Sequence, residues 1–190
     1  MKKTITAALA LLLINLGLGA ADKEKLKQST PAQPEQKVVQ AVRAEGPISI
    51  DALLDESVWK GPASNEFTQS DPSDGAPSTE KTDVWVAYND QALYVAAFCH
   101  DTDPKAIISR LGRRDADLDS DWFVFAVDPY YDRRTGYLFG INPAGSIRDE
   151  TLFNDVNDDE SWDGVWEGRA HINSQGWTVE LKIPFHQLRF

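Results

Sequence analysis

The chain carries a single cysteine, Cys99, so no disulfide can close within it and its stability must come from packing. Its only methionine is Met1, which removes methionine–histidine ligation of a haem from a processed chain. The three histidines, His100, His171 and His186, are scattered, and nothing in their spacing gathers them with a carboxylate into a zinc site. Basic residues are scarce: 19 Lys and Arg stand against 30 Asp and Glu, a formal net charge of −11. So acidic a surface repels phosphate backbones, which excludes nucleic acid as a partner and disfavours anionic membrane faces. No GxSxG, HExxH or phosphate-loop pattern occurs, and no helical periodicity runs past a single turn. Among 30 carboxylates some close pair is inevitable, so their number is no sign of a glycosidase. The expectation is a strand-built chain without catalytic machinery of its own.

What is present begins with Lys2 and Lys3, an apolar run over residues 5–18, and the small residues Gly19, Ala20 and Ala21. Basic start, short apolar centre and small residues at the cut describe a secretory signal peptide over residues 1–21. The run is short for a membrane span, and no cysteine at the cut offers a lipid anchor. The expected destination is the periplasm, the outer-membrane surface or the exterior. Without the two lysines, 17 basic residues face 30 acidic ones and the net charge becomes −13. Residues 22–37 (DKEKLKQSTPAQPEQK) hold charge, proline and glutamine but no aromatic residue, the composition of a disordered linker.

One domain is expected over residues 38–190, an antiparallel β-sandwich of jelly-roll or immunoglobulin-like type. The densest stretch is DSDWFVFAVDPYYDRRTGYLFGIN, residues 119–142. Trp122, Val124 and Ala126 share one parity and Phe123, Phe125 and Val127 the other, which predicts a central strand covered on both faces. Asp128-Pro129 stops that strand, since proline has no N–H to donate, and residues 132–136 turn into a second strand. Short strands are also expected near residues 39–43, 48–51, 65–70 and 146–153. Asp55 is expected to cap a helical turn that delivers Trp59 to the core, and residues 104–111 to hold another. Hairpins are expected from 82–88 with 93–100 and from 165–172 with 177–183. Cys99 falls within a strand as a small buried hydrophobe.

Five stretches carry a family resemblance in order: ISIDALLDESVW (48–59), FTQSDPSDGAPSTEKTDVWVAYNDQALYV (67–95), SDWFVFAVDPYYDRRTGYLFGINPAG (120–145), SWDGVW (161–166) and GWTVELKIPFHQLRF (176–190). Together they resemble the family 9 carbohydrate-binding modules. They resemble more closely the relatives of those modules at the N-terminus of exported bacterial proteins that continue into an outer-membrane β-barrel. The resemblance implies a jelly-roll sandwich, sugar binding, structural calcium in some members, and a non-catalytic place beside glycoside hydrolases in polysaccharide catabolism. In sugar-binding members two tryptophans clamp a sugar ring, assisted by an acidic residue in the central strand and an arginine on the next. The first tryptophan, the acid and the arginine correspond here to Leu118, Val124 and Gly140, and the second tryptophan would fall beyond Phe190. The resemblance therefore also implies that closing strands of the sandwich are missing or come from the remainder of a longer protein. The altered clamp opens an alternative role, a structural domain that docks on a β-barrel or another envelope protein without binding sugar.

Sugar recognition needs an aromatic face for the C–H side of the ring and planar polar groups for the hydroxyls. Trp162 and Trp166 share a face if SWDGVW is extended, with Asp163 between them as an acceptor, and Trp122 and Tyr130 are further candidates. The competing role for these tryptophans is to plug the ends of the sandwich; Tyr130 and Tyr131, in a turn, are the more exposed. For structural calcium, the alternating Asp115, Asp117, Asp119 and Asp121 lack the glycine and closing glutamate of an EF-hand loop. Asn154, Asp155, Asn157 and Asp158, in an acidic loop that runs on through Asp159 and Glu160, are the better oxygen donors, against the simpler reading of a solvated surface. Arg113, Arg114, Arg133 and Arg134 are expected to pair with nearby acids, for example Arg114 with Asp115 or Asp121. Contact with anionic sugars is their second role.

Overall fold

The computed structural model describes residues 38–154 and 157–188. Nine strands form two sheets: β1 (Ala41–Arg43), β2 (Thr82–Tyr88), β3 (Ala92–His100), β4 (Phe123–Val127), β5 (Thr135–Ile141), β6 (Ile147–Phe153), β7 (Asn157–Asp159), β8 (Glu167–Asn173) and β9 (Gly176–Pro184). The first sheet runs β1-β2-β3-β9-β8 and the second β4-β5-β6-β7. Only β1 with β2 is parallel among these pairings. Short 3-10 turns are the helical content of the described residues. The chain is an all-β sandwich.

Both expected hairpins form. Between β2 and β3 the Asn89 carboxamide oxygen accepts the N–H groups of Gln91 and Ala92 at 2.9 and 3.0 Å, a side-chain turn that sets the register. The core lies between the sheets because alternate residues of each strand point the same way. Val95, Ala97 and Cys99 of β3 and Val179, Leu181 and Ile183 of β9 meet Phe123, Phe139 and Ile141 of the second sheet. Burial pushes the Cys99 thiol up to about 12, so it serves as packing and not as a nucleophile.

The outer face of the first sheet has its own cover. Ile48, Ile50, Leu54, Val58 and Trp59 pack over Trp85, Ala87, Ala92, Tyr94 and Ala96. At the centre of this contact the fully buried Glu180 accepts the N–H groups of Asp51 (2.9 Å) and Ala52 (2.7 Å) and the indole N–H of Trp59 (2.9 Å). The Thr178 hydroxyl donates to the Ala52 carbonyl at 2.6 Å.

Several sequence expectations need correction. β4 is an edge strand, not a central one; its inner parity meets the core while Val124 and Ala126 face away. Residues 48–51 join no strand; the Ser49 N–H donates to Glu56 and the Asp51 N–H to Glu180, which takes donors that a ladder would need. Residues 65–70 contribute only an isolated bridge, Thr68 with Pro77. The turn Ser57–Lys60 does bury Trp59, but it starts from Glu56 with no side-chain cap. The turn expected over 104–111 shrinks to Pro104–Ala106.

Candidate functional site

The two outer faces differ. One is covered by the N-terminal segment; the other, on β4-β5-β6-β7, has no such cover among the described residues and holds a groove of about 380 Å³. Its floor follows from cross-strand register. Ala126 pairs with Leu138 and Leu138 with Glu150, while Gly136 pairs with Leu152 and Leu152 with Asp158. Small and apolar residues thus keep the floor low. Glu150 and Asp158 rise on one side, and Arg133 and Arg134, from the β4–β5 connection, line the other.

Further along the same face, Val124 pairs with Gly140 and Gly140 with Arg148. These are two of the positions where the resemblance places the acid and the arginine of a sugar clamp. Glycine at 140 leaves a gap that Arg148 crosses: a Cβ on Gly140 would stand 2.8 Å from the Arg148 Cγ. The guanidinium then lies over the Trp122 ring, 4.8 Å from its centroid. The Trp122 indole reaches back to the Leu118 carbonyl at 3.4 Å. Arg148 Nε is buried and has no hydrogen-bond partner, a donor held ready and unsatisfied. Burial raises the Glu150 carboxyl above its ordinary range; Arg148 opposes that shift, while Asp158 and Glu160 add to it. Trp122, Arg148 and Glu150 therefore place an aromatic face, a planar donor and an acceptor on one surface.

The sequence-derived candidates divide. Trp166 is only 7% exposed and meets Phe139 edge-on at 5.4 Å; Trp162 is half-buried against Tyr137 at 4.8 Å. Both plug the sandwich and offer no shared platform, which corrects their assignment to sugar stacking. The reason is packing: their rings are the largest fillers available to that end of the core. Asp163 is exposed, but its carboxylate pairs with Arg114 at 3.1 Å. Trp122 lies beside the groove as part of the Arg148 stack, and Tyr130 is exposed in the β4–β5 turn. Arg148 and Glu150 escaped notice in the sequence. Their signal was the charged parity of residues 148 and 150, which stand across from Gly140 and Leu138.

The expected calcium donors are spread over a turn and a strand where they are described. Asn157 and Asp158 belong to β7, and neighbouring strand residues point to opposite faces. Asn154 is an exposed turn residue, and Asp155 lies outside the described residues. A different carboxylate set converges instead: Asp115, Asp149 and Asp163 bring ligand atoms within 4.8 Å of one another. Arg114 already occupies their centre. Its Nε donates to Asp149 Oδ1 at 2.7 Å, and it pairs with Asp163 at 3.1 Å and Asp115 at 3.7 Å. The other Asp149 oxygen accepts the Gly164 N–H at 2.6 Å. This donor set fits a guanidinium better than a dication, whose ligands would be left with that cation's charge among them. Arg114 thus pairs with Asp115 as one expectation had it, whereas Asp121 is engaged with the Ile108 N–H at 3.0 Å.

No family model matches the sequence, and no curated protein sequence matches it. Solved structures do. A family 9 carbohydrate-binding module from Caldicellulosiruptor kristjanssonii in complex with cellotriose superposes with a TM-score of 0.51 at 16% identity, over 76% of this chain and 66% of that one. The module from the same organism in complex with glucose gives 0.52 at 15% identity, over 78% and 69%. The chain spans about two-thirds of the length of these solved chains. Its architecture is therefore that of the family 9 carbohydrate-binding-module fold.

Proposed function

We propose that this chain is a non-catalytic carbohydrate-binding module of an exported protein that takes part in polysaccharide breakdown, and that it holds saccharide on the open face of the second sheet. The observation that carries this reading is the set of Trp122, Arg148 and Glu150 on the uncovered face of the second sheet, where Glu150 lines the groove and the Arg148–Trp122 stack lies beside it. Arg148, across from Gly140, can substitute for the clamp arginine missing there, and Glu150, on the same face across from Leu138, can supply a carboxylate that Val124 does not. A sugar ring presents hydroxyls to a planar guanidinium and a carboxylate and its C–H face to an aromatic ring or the apolar floor. Any glycosidic bond cleavage belongs to an attached or partner domain. The kind of saccharide bound by the solved modules supports this reading by likeness of fold.

The test is binding. Wild type should be retained on at least one of insoluble glucan, xylan or chitin and give heat with its oligosaccharides in calorimetry. Arg148→Ala should weaken that binding about tenfold or more, the scale of lost hydrogen bonds to a charged donor. No retention on any member of the panel would remove the proposal. In its place would stand a domain that docks on an outer-membrane β-barrel or another envelope protein, the role favoured by the altered positions Leu118, Val124 and Gly140.

A further inference from the structure

The β4–β5 connection is built in a way that leaves two cations without a close ion pair among the described residues. Asp128 accepts the N–H groups of Tyr130 at 3.0 Å and Arg133 at 2.7 Å. Asp132 accepts the N–H groups of Arg134 and Thr135, both at 2.8 Å, and the Thr135 hydroxyl at 2.9 Å. These backbone bonds hold the Asp132 carboxyl below its ordinary range, so it stays ionised and committed to the turn. Tyr131 and Arg133 take left-handed backbone angles, φ 53° and 58°, which the same bonds fix. The acids of the loop thus spend their hydrogen bonds on backbone and the Thr135 hydroxyl, and Arg134 acts on Asp132 only through its charge. Neither Arg133 nor Arg134 makes an ion pair with an acid among the described residues. Arg133 lies instead over the Tyr131 ring, 5.4 Å from its centroid, and that ring is 73% exposed.

Two arginines at the lip of a groove, neither in a close ion pair among the described residues, are out of keeping with a chain of net charge −11. A guanidinium keeps its charge at any working pH and grips a carboxylate through two parallel bonds. The opposite wall, with Glu150 and Asp158, would repel a second carboxylate and instead accepts hydroxyl protons. We propose that the groove selects a saccharide bearing a carboxylate on one sugar: an acidic residue docks on Arg133 and Arg134 beside Tyr131, with neutral sugars along the floor. This rests on the saccharide-binding role proposed above and names the ligand class.

Calorimetry can compare a glucuronic-acid-branched xylotriose with its carboxyl-reduced form, which keeps the ring and loses the charge. Wild type should bind the acidic form about tenfold more tightly, and 0.5 M salt should shrink that preference. The double substitution Arg133→Gln, Arg134→Gln, in an exposed turn remote from the core, should abolish the preference, bringing the affinity for the acidic form down to that for the reduced form. Equal affinity of wild type for the two forms overturns the inference. So does a preference that survives the double substitution, or binding of neutral oligosaccharides with none of the acidic one; each leaves the saccharide-binding role standing. Absence of binding to any saccharide overturns both.

Discussion

A carboxylate buried without a cation is the costliest residue in this molecule, and Glu180 is tolerable only because three N–H donors point at it. Burial raises its pKa, and the bonds from Asp51, Ala52 and Trp59 only partly offset that effect. The folded chain therefore holds this proton more tightly than the unfolded chain, whose glutamate titrates near ~4.3. Its contribution to stability is full below that value and declines as pH rises through the raised folded value. Glu180→Gln should remove the decline, so the stability difference between wild type and variant should change across that window in urea titrations. At neutral pH the variant should also lose about 1–3 kcal/mol, because whichever end carries the amide NH₂ meets a donor. Parallel pH profiles for the two proteins would sink this account. Nothing in the sequence marks residue 180 for such a role, since TVELKI reads as an ordinary alternating strand and its partners lie more than 100 residues away. Trp59 was legible as a core residue from its place after a short turn; what its indole bonds to was not.

Elements were legible where the chain itself closes the contact. The hairpins β2–β3 and β8–β9 follow from alternation interrupted by short polar turns, and both stand close to the expected boundaries. Order within a sheet depends on distant pairing, so the β3–β9 contact and the parallel β1 had no local signal. The apolar parities of β4 misled for a related reason: an edge strand above a groove floor looks as apolar as a central strand. For the site, the same limit applies. Trp122 and Tyr130 were visible as aromatics near the right strand, but Arg148 gained meaning only when Gly140 was placed beside it. Gly176, the first residue of β9, shows how tightly distant strands meet. Its φ is +139°, and a Cβ there would come 2.1 Å from the Cys99 carbonyl oxygen. Backbone cannot yield as a flexible side chain can. Gly176→Ala should therefore cost about 3 kcal/mol or more by combining a disfavoured φ with a backbone clash. Thermal unfolding should show a lowered midpoint or loss of soluble protein, whereas a wild-type midpoint would mean that the β3–β9 end can open without penalty.

At the scale of the whole molecule, the first sheet has apolar surface on two sides, and the second has one side without such a cover among the described residues. That asymmetry makes the segment before β2 part of the fold and not a leader to it. Ile48, Ile50, Leu54, Val58 and Trp59 cover the outer face of β2 and β3, and Trp59 also satisfies Glu180. Removing them would expose Trp85, Tyr94 and Ala96 together with a buried carboxylate that has lost its donors, a combination worse than exposed apolar surface alone. Residues 22–37, by composition, have nothing of the kind to contribute. The boundary of the independent folding unit should therefore fall near residue 38. A chain trimmed to start there should keep the thermal midpoint of one starting at residue 22. A chain trimmed to start at residue 62 should bind a hydrophobic dye, lose cooperative unfolding and lose any saccharide affinity, although every groove residue is still present. Cooperative unfolding of that shorter chain, with affinity intact, would show that the two faces of the sandwich are energetically independent and that the cover serves some purpose other than stability.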